Sequence, residues 1–141
     1  MENVRIYLSG AMSGLSFEEQ SKWRLQIINA IKFNNDCAKK PLFFNPVDYY
    51  NFEEKQHKSE REIFEFDLNA LRKCDLVIVN FNNEKSIGTA MELMLAKERN
   101  IPIIAFGANN KEIHPWLTEC CTRICDDIRE AVSHVVEFYL N

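Results

Sequence analysis

One carboxylate interrupts the most apolar segment of the chain. Glu92 lies in residues 87–96, which carry no other charge and have the composition of a buried helix. A buried carboxylate without a partner is costly, or its pKa rises. The alternative is a surface ion pair with Lys97 or Arg99, although the sequence shows no obvious exposed face on this helix. Glu92 is therefore the first candidate for a chemical role.

Ser86 precedes Glu92 by six residues and is the predicted N-cap of the same helix. A helix N-terminus favours an anion such as a phosphate. Six helical residues advance about 9 Å, close to the separation of the 5'-phosphate and the anomeric carbon in one nucleotide. Gly88, between them, leaves room for a sugar. The alternative for Ser86 is an ordinary helix cap with no ligand.

Asp67 is a second carboxyl group on an apolar helix face, which it shares with Ile63, Ala70 and Leu71. Desolvation there is expected to raise its pKa and allow it to deliver a proton near neutral pH. A proton donor beside a carboxylate nucleophile is the division of labour used in glycosidic cleavage. The alternative is an Asp at the edge of the face, satisfied by water or an Arg.

The loop at residues 9–14 follows the first predicted strand with small residues and free amides that could cradle a ligand. It has neither the G-x-G-x-x-G pattern nor a Walker lysine, which argues against a dinucleotide or a nucleoside triphosphate. Tyr7 precedes it and could reach a carboxylate through its hydroxyl, or simply pack in the core. The candidate ligand-binding residues here are Ser9, Gly10 and Met12, with Asn80 at the end of a neighbouring strand.

Alternating hydrophobic periods indicate the elements that must position these groups. Strands are predicted at residues 4–8, 41–44, 75–80, 101–106 and 122–124. Two helices are predicted to begin at capping boxes, one at 16–19 that ends at the break at 34–36 and one at 59–62 that ends at 74. Two further helices are predicted over 87–99 and 128–140. This alternation predicts a three-layer, flavodoxin-like or Rossmann-like α/β fold. Its sheet is about five-stranded and mostly parallel, with order 2-1-3-4-5 and helices on both faces. In such a sheet, ligands bind beyond the carboxyl ends of strands 1 and 3.

Composition narrows the functional classes. The 141 residues are predicted to form a single domain, and 17 Lys and Arg against 21 Asp and Glu argue against a nucleic acid polymer as partner. With no signal-peptide pattern and no apolar run of about 18 residues, we expect a cytoplasmic protein with no membrane association. The five cysteines are interpreted as free thiols, and neither they nor the three histidines predict a metal site.

Several short motifs in order resemble the nucleoside 2-deoxyribosyltransferase family. They are residues 6–10 (IYLSG), 44–46 (FNP), 67–75 leading into the third strand, and the pattern Ser86-x-Gly88-x-x-x-Glu92. Together they span about the first 106 residues. The resemblance includes the branch of deoxynucleoside monophosphate N-glycosidases and small related phage-encoded proteins.

The resemblance implies roles for individual residues. Glu92 would attack the anomeric carbon, Asp67 would assist protonation of the departing base, and Tyr7 would orient the nucleophile. Relatives acting on free nucleosides tend to carry Asp at the position of Ser86, whereas those acting on monophosphates carry Ser. The expected substrate is therefore a 2'-deoxynucleoside 5'-monophosphate, cleaved without a cofactor, with transfer of the sugar to water or another base.

Alternatives remain open at this point. They are a transferase acting on free nucleosides, a protein that binds a nucleotide without turning it over, and an interaction protein with a degenerate pocket. The resemblance also implies a homodimer or larger homo-oligomer. Residues 137–141 could help to complete the site of a neighbouring subunit, and the helix carrying Glu92 and the long loop before it could pack against another subunit. Base recognition is expected from the loop at 48–58, where Tyr49, Tyr50 and Phe52 could stack.

Overall fold

The computed structural model describes residues 1–34, 36–49 and 58–141. They form a five-stranded sheet in the order β2-β1-β3-β4-β5, in which every neighbouring pair is parallel. The strands are β1 (Asn3–Gly10), β2 (Lys40–Phe44), β3 (Leu76–Asn80), β4 (Ile103–Phe106) and β5 (Arg123–Ile124). The predicted strand order and α/β class are confirmed, and the sheet is wholly rather than mostly parallel.

Helices cover both faces of this sheet. They are α1 (Phe17–Phe33), α2 (Glu60–Arg72), α3 (Ile87–Glu98), α4 (Pro115–Cys120) and α5 (Ile128–Tyr139), with a 3₁₀ turn at Pro46–Asp48. The sequence interpretation missed α4 and the 3₁₀ turn, because neither is long enough to show a hydrophobic period. Each nevertheless begins with Pro at its first turn, preceded by a capping side chain, His114 or Asn45.

Local chemistry explains where several elements begin. Both halves of the predicted capping box between Ser16 and Glu19 are present at the start of α1. Ser59 caps α2 by accepting from the Glu62 amide, but the Glu62 carboxylate accepts from the Lys58 amide instead of closing the box. The predicted second capping box is therefore only half formed.

Two strands begin later than predicted. The Asp75 carboxylate accepts from the Arg5 amide at 2.8 Å, so Asp75 ties β3 to β1 through its side chain and precedes the strand. The Ile101 amide donates to the Ala96 carbonyl at 2.9 Å and so completes the end of α3. Pro102 has no amide hydrogen to donate, and β4 starts at Ile103.

The alternation of β1 decides which side chains face the core and which face the site. Val4, Ile6 and Leu8 pack against α1 and α5 in one hydrophobic cluster. Tyr7 lies in the other cluster, with α2 and α3. Since alternate residues of a strand share a face, Ser9 points the same way as Tyr7, toward α3.

Helix α3 is not buried on all sides, and the expectation that it would be is wrong. Its inner side packs Leu93 and Ala96 against the sheet, whereas Ile87, Met91 and Met94 are 76%, 47% and 49% exposed. The helix belongs to an outer layer, so only one face can meet the sheet. Within the described ranges, no helix is long and apolar enough to cross a membrane.

Candidate active site

A cavity of about 480 Å³ opens beyond the carboxyl ends of β1 and β3, at the edge where the topology predicts a ligand site. Its walls are the loop after β1, the inner face of α2 and the first half of α3. The lining includes six of the predicted site residues, Gly10, Met12, Asp67, Ser86, Gly88 and Glu92. This volume lies within the range of small-molecule sites, about 300 to 1,000 Å³.

Glu92 is held from behind by two hydroxyl groups of β1. The Tyr7 Oη donates to Glu92 Oε2, and the Ser9 Oγ donates to Glu92 Oε1 at 3.1 Å. Tyr7 and Ser9 are fully buried and fix the carboxylate in the wall of the cavity without lining it themselves. Lys97 and Arg99, the partners of the surface alternative, are both exposed. The structure therefore gives Glu92 oriented partners in the site.

Burial raises the pKa of Glu92 to about 7. The hydrogen bond from Tyr7 opposes this rise, the negative charge of Asp67 adds to it, and Ser9 and Arg24 oppose it more weakly. Glu92 and Asp67 line the same cavity, and the negative charge of Asp67 disfavours ionisation of Glu92. At neutral pH, small changes in the surroundings decide whether Glu92 is an acid or a nucleophilic carboxylate.

Ser86 caps α3 and places its hydroxyl group at the wall of the cavity. Its Oγ accepts from the Thr89 amide at 3.3 Å and from the Thr89 Oγ1 at 3.0 Å. Thr89 is almost fully buried and also lines the cavity. A methyl group added at Gly88 would meet no atom within 4 Å beyond its chain neighbours and the adjacent backbone of α3, so there is open space beside Ser86. The end of α3 thus presents a hydroxyl donor to the cavity.

The loop after β1 is fixed by a residue that the sequence interpretation missed. Asn82 accepts from the Ala11 amide at 3.0 Å and donates to the Ala11 carbonyl at 3.5 Å. Gly10 is also required, because a Cβ there would lie 2.7 Å from Cζ2 of Trp23. These contacts hold the loop at the rim of the cavity, beside the carboxylate of Glu92.

Arg24 is a second functional candidate that the sequence interpretation missed. The side chain is completely buried and lines the cavity. A signal was present, because Arg24 lies three residues before Ile27 and seven before Ile31, on the apolar face of α1. A charged residue is almost never fully buried on such a face unless its charge and donors have partners.

The sequence profile described as nucleoside 2-deoxyribosyltransferase matches residues 6–138, which is nearly the whole chain. The chain belongs to the nucleoside 2-deoxyribosyltransferase family. It is accordingly an enzyme of the nucleoside 2-deoxyribosyltransferase kind, as the motifs around Tyr7 and Glu92 suggested. By sequence, no curated protein matches it.

Solved structures similar to this deoxyribosyltransferase-family protein share its fold at low identity. A conserved protein from Enterococcus faecalis V583 has a TM-score of 0.71 and 14% identity, covering 95% of this chain and 98% of that one. The 2-deoxyribosyltransferase from Bacillus psychrosaccharolyticus has a TM-score of 0.67 and 18% identity, covering 92% and 90%. The CMP N-glycosidase BcmB from Clostridium botulinum has a TM-score of 0.57 and 18% identity, covering 95% and 99%.

Some predicted residues of this family member lie away from the cavity. Asn80 does not line it, and its Oδ1 lies against Gly107, whose φ is +82°. Tyr49 stacks on Phe44 with ring centroids 5.0 Å apart and also contacts Phe66. Asn80 and Tyr49 therefore do not line the cavity, and their roles in ligand binding stay predictions. Tyr50 and Phe52 lie outside the described residues.

The end of the chain packs against its own protomer. The Leu140 carbonyl accepts from the Lys39 amide at 2.8 Å, just before β2 begins. Leu140 is fully buried, and the Asn141 amide donates to the Val136 carbonyl. These contacts lie at the end of the sheet where the strands begin, whereas the cavity lies at the end where they finish. Over the described part of the chain, no group of three His, Cys, Asp or Glu side chains is arranged to hold a metal ion.

The raised pKa of Glu92 predicts a stability difference that depends on pH. The folded state binds the proton more tightly than the unfolded chain, whose Glu pKa is near 4.5. Wild type therefore loses stability as pH rises from about 4.5 to about 7, and Glu92→Gln avoids this loss. At pH 8 we expect the variant to be more stable than wild type by up to about 3 kcal/mol.

Urea unfolding at pH 4.5 and pH 8 measures this difference. The Glu98→Gln variant, altered at an exposed glutamate of the same helix, is the matched control and should follow wild type at both pH values. A Glu92→Gln advantage that is the same at pH 4.5 and pH 8 would contradict the raised pKa.

Proposed function

We propose that this protein cleaves the N-glycosidic bond of a 2'-deoxynucleoside 5'-monophosphate through a covalent glycosyl intermediate on Glu92, and passes the sugar to water or another nucleobase. The observation that carries the proposal is the Glu92 carboxylate, fixed at the cavity wall by Tyr7 and Ser9. A carboxylate held in this way is oriented to attack and needs little reorganisation.

The reaction proceeds in two displacements at the anomeric carbon. A Glu92 oxygen forms an ester bond to this carbon as the bond to the base nitrogen breaks, and the departing base takes a proton from Asp67. Water or a second base then attacks the same carbon, and Glu92 leaves as a carboxylate. The incoming nucleophile gives its proton to Asp67, which restores the starting state.

The two carboxyl groups support this division of roles. Asp67 and Glu92 line one cavity, and their like charges disfavour ionisation of both at once. The reaction needs one proton on this pair of carboxyl groups. When the substrate is bound, that proton belongs on Asp67, and Glu92 is ionised. Tyr7, Ser9 and Arg24 all favour the ionised form of Glu92, and so they favour a proton on Asp67 over a proton on Glu92.

Recognition of a 5'-phosphate is supported by the start of α3. The Ser86 hydroxyl and the neighbouring Lys85 both line the cavity, and the helix dipole favours an anion there. A structural neighbour, the CMP N-glycosidase BcmB, is named for a nucleoside monophosphate. The Bacillus neighbour is named as a 2-deoxyribosyltransferase, which supports transfer to a base as the second possible outcome.

Base release from a substrate panel tests the proposal. The purified protein is incubated with the four 2'-deoxynucleoside 5'-monophosphates, the matching free nucleosides and the matching ribonucleotides, with and without an acceptor base. Chromatography should show free base from at least one deoxynucleoside monophosphate, at a higher kcat/KM than from its nucleoside. Saturable nucleotide binding without any free base would replace the proposal by the sensing alternative.

We also propose that a second copy of the chain covers the exposed face of α3, consisting of Ile87, Met91 and Met94. Ile87 and Met91 line the cavity as well as this face, so the apolar surface is continuous with the rim of the site. A copy docked there would bury the face and close the cavity in one contact. Contiguous apolar surface at such a rim is typical of interaction sites.

The Met94→Glu variant tests this association. Met94 does not line the cavity, so the substitution places a charge in the interface and spares the site. By light scattering after gel filtration, we expect wild type to be dimeric or larger and Met94→Glu to associate at least about ten-fold more weakly. Phe33→Glu, at an 87% exposed aromatic residue of α1, is the control and should leave association unchanged. A monomeric wild type would overturn this proposal.

A further inference from the structure

We propose that Arg24 is a positioning residue of this enzyme, whose buried guanidinium fixes the strand end behind Glu92 and adds a fixed positive charge that favours the ionised, nucleophilic form of that carboxylate. The inference rests on the proposed role of Glu92. It adds a group that acts through the backbone behind Glu92, because the hydrogen bonds of its guanidinium go to backbone carbonyl oxygens.

The guanidinium fixes the strand segment that presents Ser9. Arg24 Nη2 donates to the Gly10 carbonyl at 3.1 Å, and Nε donates to the Leu8 carbonyl at 3.4 Å. These two carbonyls flank Ser9, whose hydroxyl donates to Glu92. Arg24 Nη1 anchors the group to its own helix through the Gln20 carbonyl at 2.6 Å. Arg24 thus ties α1 to the strand end behind the nucleophile.

The guanidinium of Arg24 contacts neutral groups. All three contacts are to neutral carbonyl oxygens, and the guanidinium also lies over the Trp23 ring, 4.5 Å from its centroid. Among the described residues, no carboxylate oxygen lies within ion-pair distance of it. Burial lowers the pKa of Arg24 to about 10, so the group stays charged at neutral pH. Its field therefore acts on the cavity.

Glu92 is surrounded by groups from three elements. Tyr7 and Ser9 face it from β1, Asp67 from α2 and Arg24 from α1. Asp67 disfavours ionisation of Glu92, and the two hydroxyls donate hydrogen bonds to the carboxylate. Arg24 is the cation in this set and attracts the same three side chains that titrate, Glu92, Tyr7 and Asp67. In a site of low dielectric, a fixed cation of this kind stabilises a carboxylate over several ångströms.

Two types of substitution separate charge from structure. Arg24→Lys keeps the charge and loses the planar fork of donors, whereas Arg24→Met keeps an apolar stem and loses the charge. Arg24→Gln is a second neutral variant that retains one donor for the Gly10 carbonyl, in case Arg24→Met does not fold. Circular dichroism and thermal unfolding report the structural cost of each substitution.

The direct measurement is a ¹³C NMR titration of protein labelled at the glutamate carboxyl carbon, with the Glu92 signal assigned by its loss in Glu92→Gln. We expect the titration midpoint of Glu92 to rise in the neutral variants and to stay close to wild type in Arg24→Lys. The acid limb of the pH profile of kcat/KM should move by the same amount. A midpoint unchanged in the neutral variants, with stability lost equally in all three, would overturn the proposal and leave a structural role only.

The titration needs no substrate, so its result is independent of the proposed reaction. A shifted Glu92 midpoint with no base release by wild type would reject the glycosidase function and keep the electrostatic coupling. Base release with an unshifted midpoint would reject the role of Arg24 and keep the function.

Discussion

Glu92→Gln is expected to lower the rate of base release by roughly a thousand-fold or more, with little change in the affinity for substrate. The amide has almost the same size as the carboxylate. Its oxygen can still accept from one of the two hydroxyls, Tyr7 or Ser9, and its NH2 group can donate to the oxygen of the other, so the cavity keeps its shape. An amide oxygen is a far weaker nucleophile and carries no charge to balance the developing cation at the sugar. The loss should therefore fall on kcat.

Chromatographic detection of free base under single-turnover conditions measures this effect. Glu98→Gln, on the same helix and exposed, is the control and should release base at the wild-type rate. Intact mass spectrometry of wild type quenched during turnover should show a glycosylated species that Glu92→Gln lacks. Equal release by wild type and Glu92→Gln would refute the assigned nucleophile.

Ser86→Asp is expected to reverse the preference between nucleotide and nucleoside. Asp is as good an N-cap as Ser, so its carboxylate can accept from the Thr89 amide and preserve the start of α3. The same carboxylate would face the substrate phosphate. Two unit charges about 4 Å apart repel by about 4 kcal/mol at an effective dielectric constant of 20, which is close to a thousand-fold in kcat/KM.

The ratio of kcat/KM for a deoxynucleoside monophosphate to that for its nucleoside is the measured quantity. It should fall by about a hundred- to a thousand-fold in Ser86→Asp. Ser133→Asp, at an exposed position of α5, adds the same charge far from the cavity and should leave the ratio unchanged. A ratio that also stays constant in Ser86→Asp would show that the phosphate does not meet this end of α3.

Local patterns predicted most of the elements, because caps and strand alternation involve neighbouring residues. Ser16 with Glu19 marked the start of α1, and the apolar run at 76–79 marked a buried parallel strand. Glu92 was recognisable by itself, as a charge in an apolar helix. The sequence alone suggested that the Tyr7 hydroxyl could meet a carboxylate, and the family resemblance indicated Glu92 as the one.

The residues that were missed act through contacts between distant parts of the chain. Asn82 holds a backbone amide 71 positions away, and no periodicity reports such a bond. Arg24 lies on the apolar face of α1, where periodicity predicts a helix but does not identify a buried charge. The exposed face of α3 was misjudged for a related reason, since an apolar composition does not say whether a neighbour is present to cover it.

Helix α3 carries both Ser86 at its start and Glu92 one and two-thirds turns later. The proposed phosphate contact and the nucleophile therefore belong to one rigid body, and their separation does not depend on the loops around them. Base recognition, in contrast, is expected from segments outside this helix. Evolution or engineering could thus alter which base is accepted by changing loops alone, while the spacing that places the sugar for attack is inherited intact.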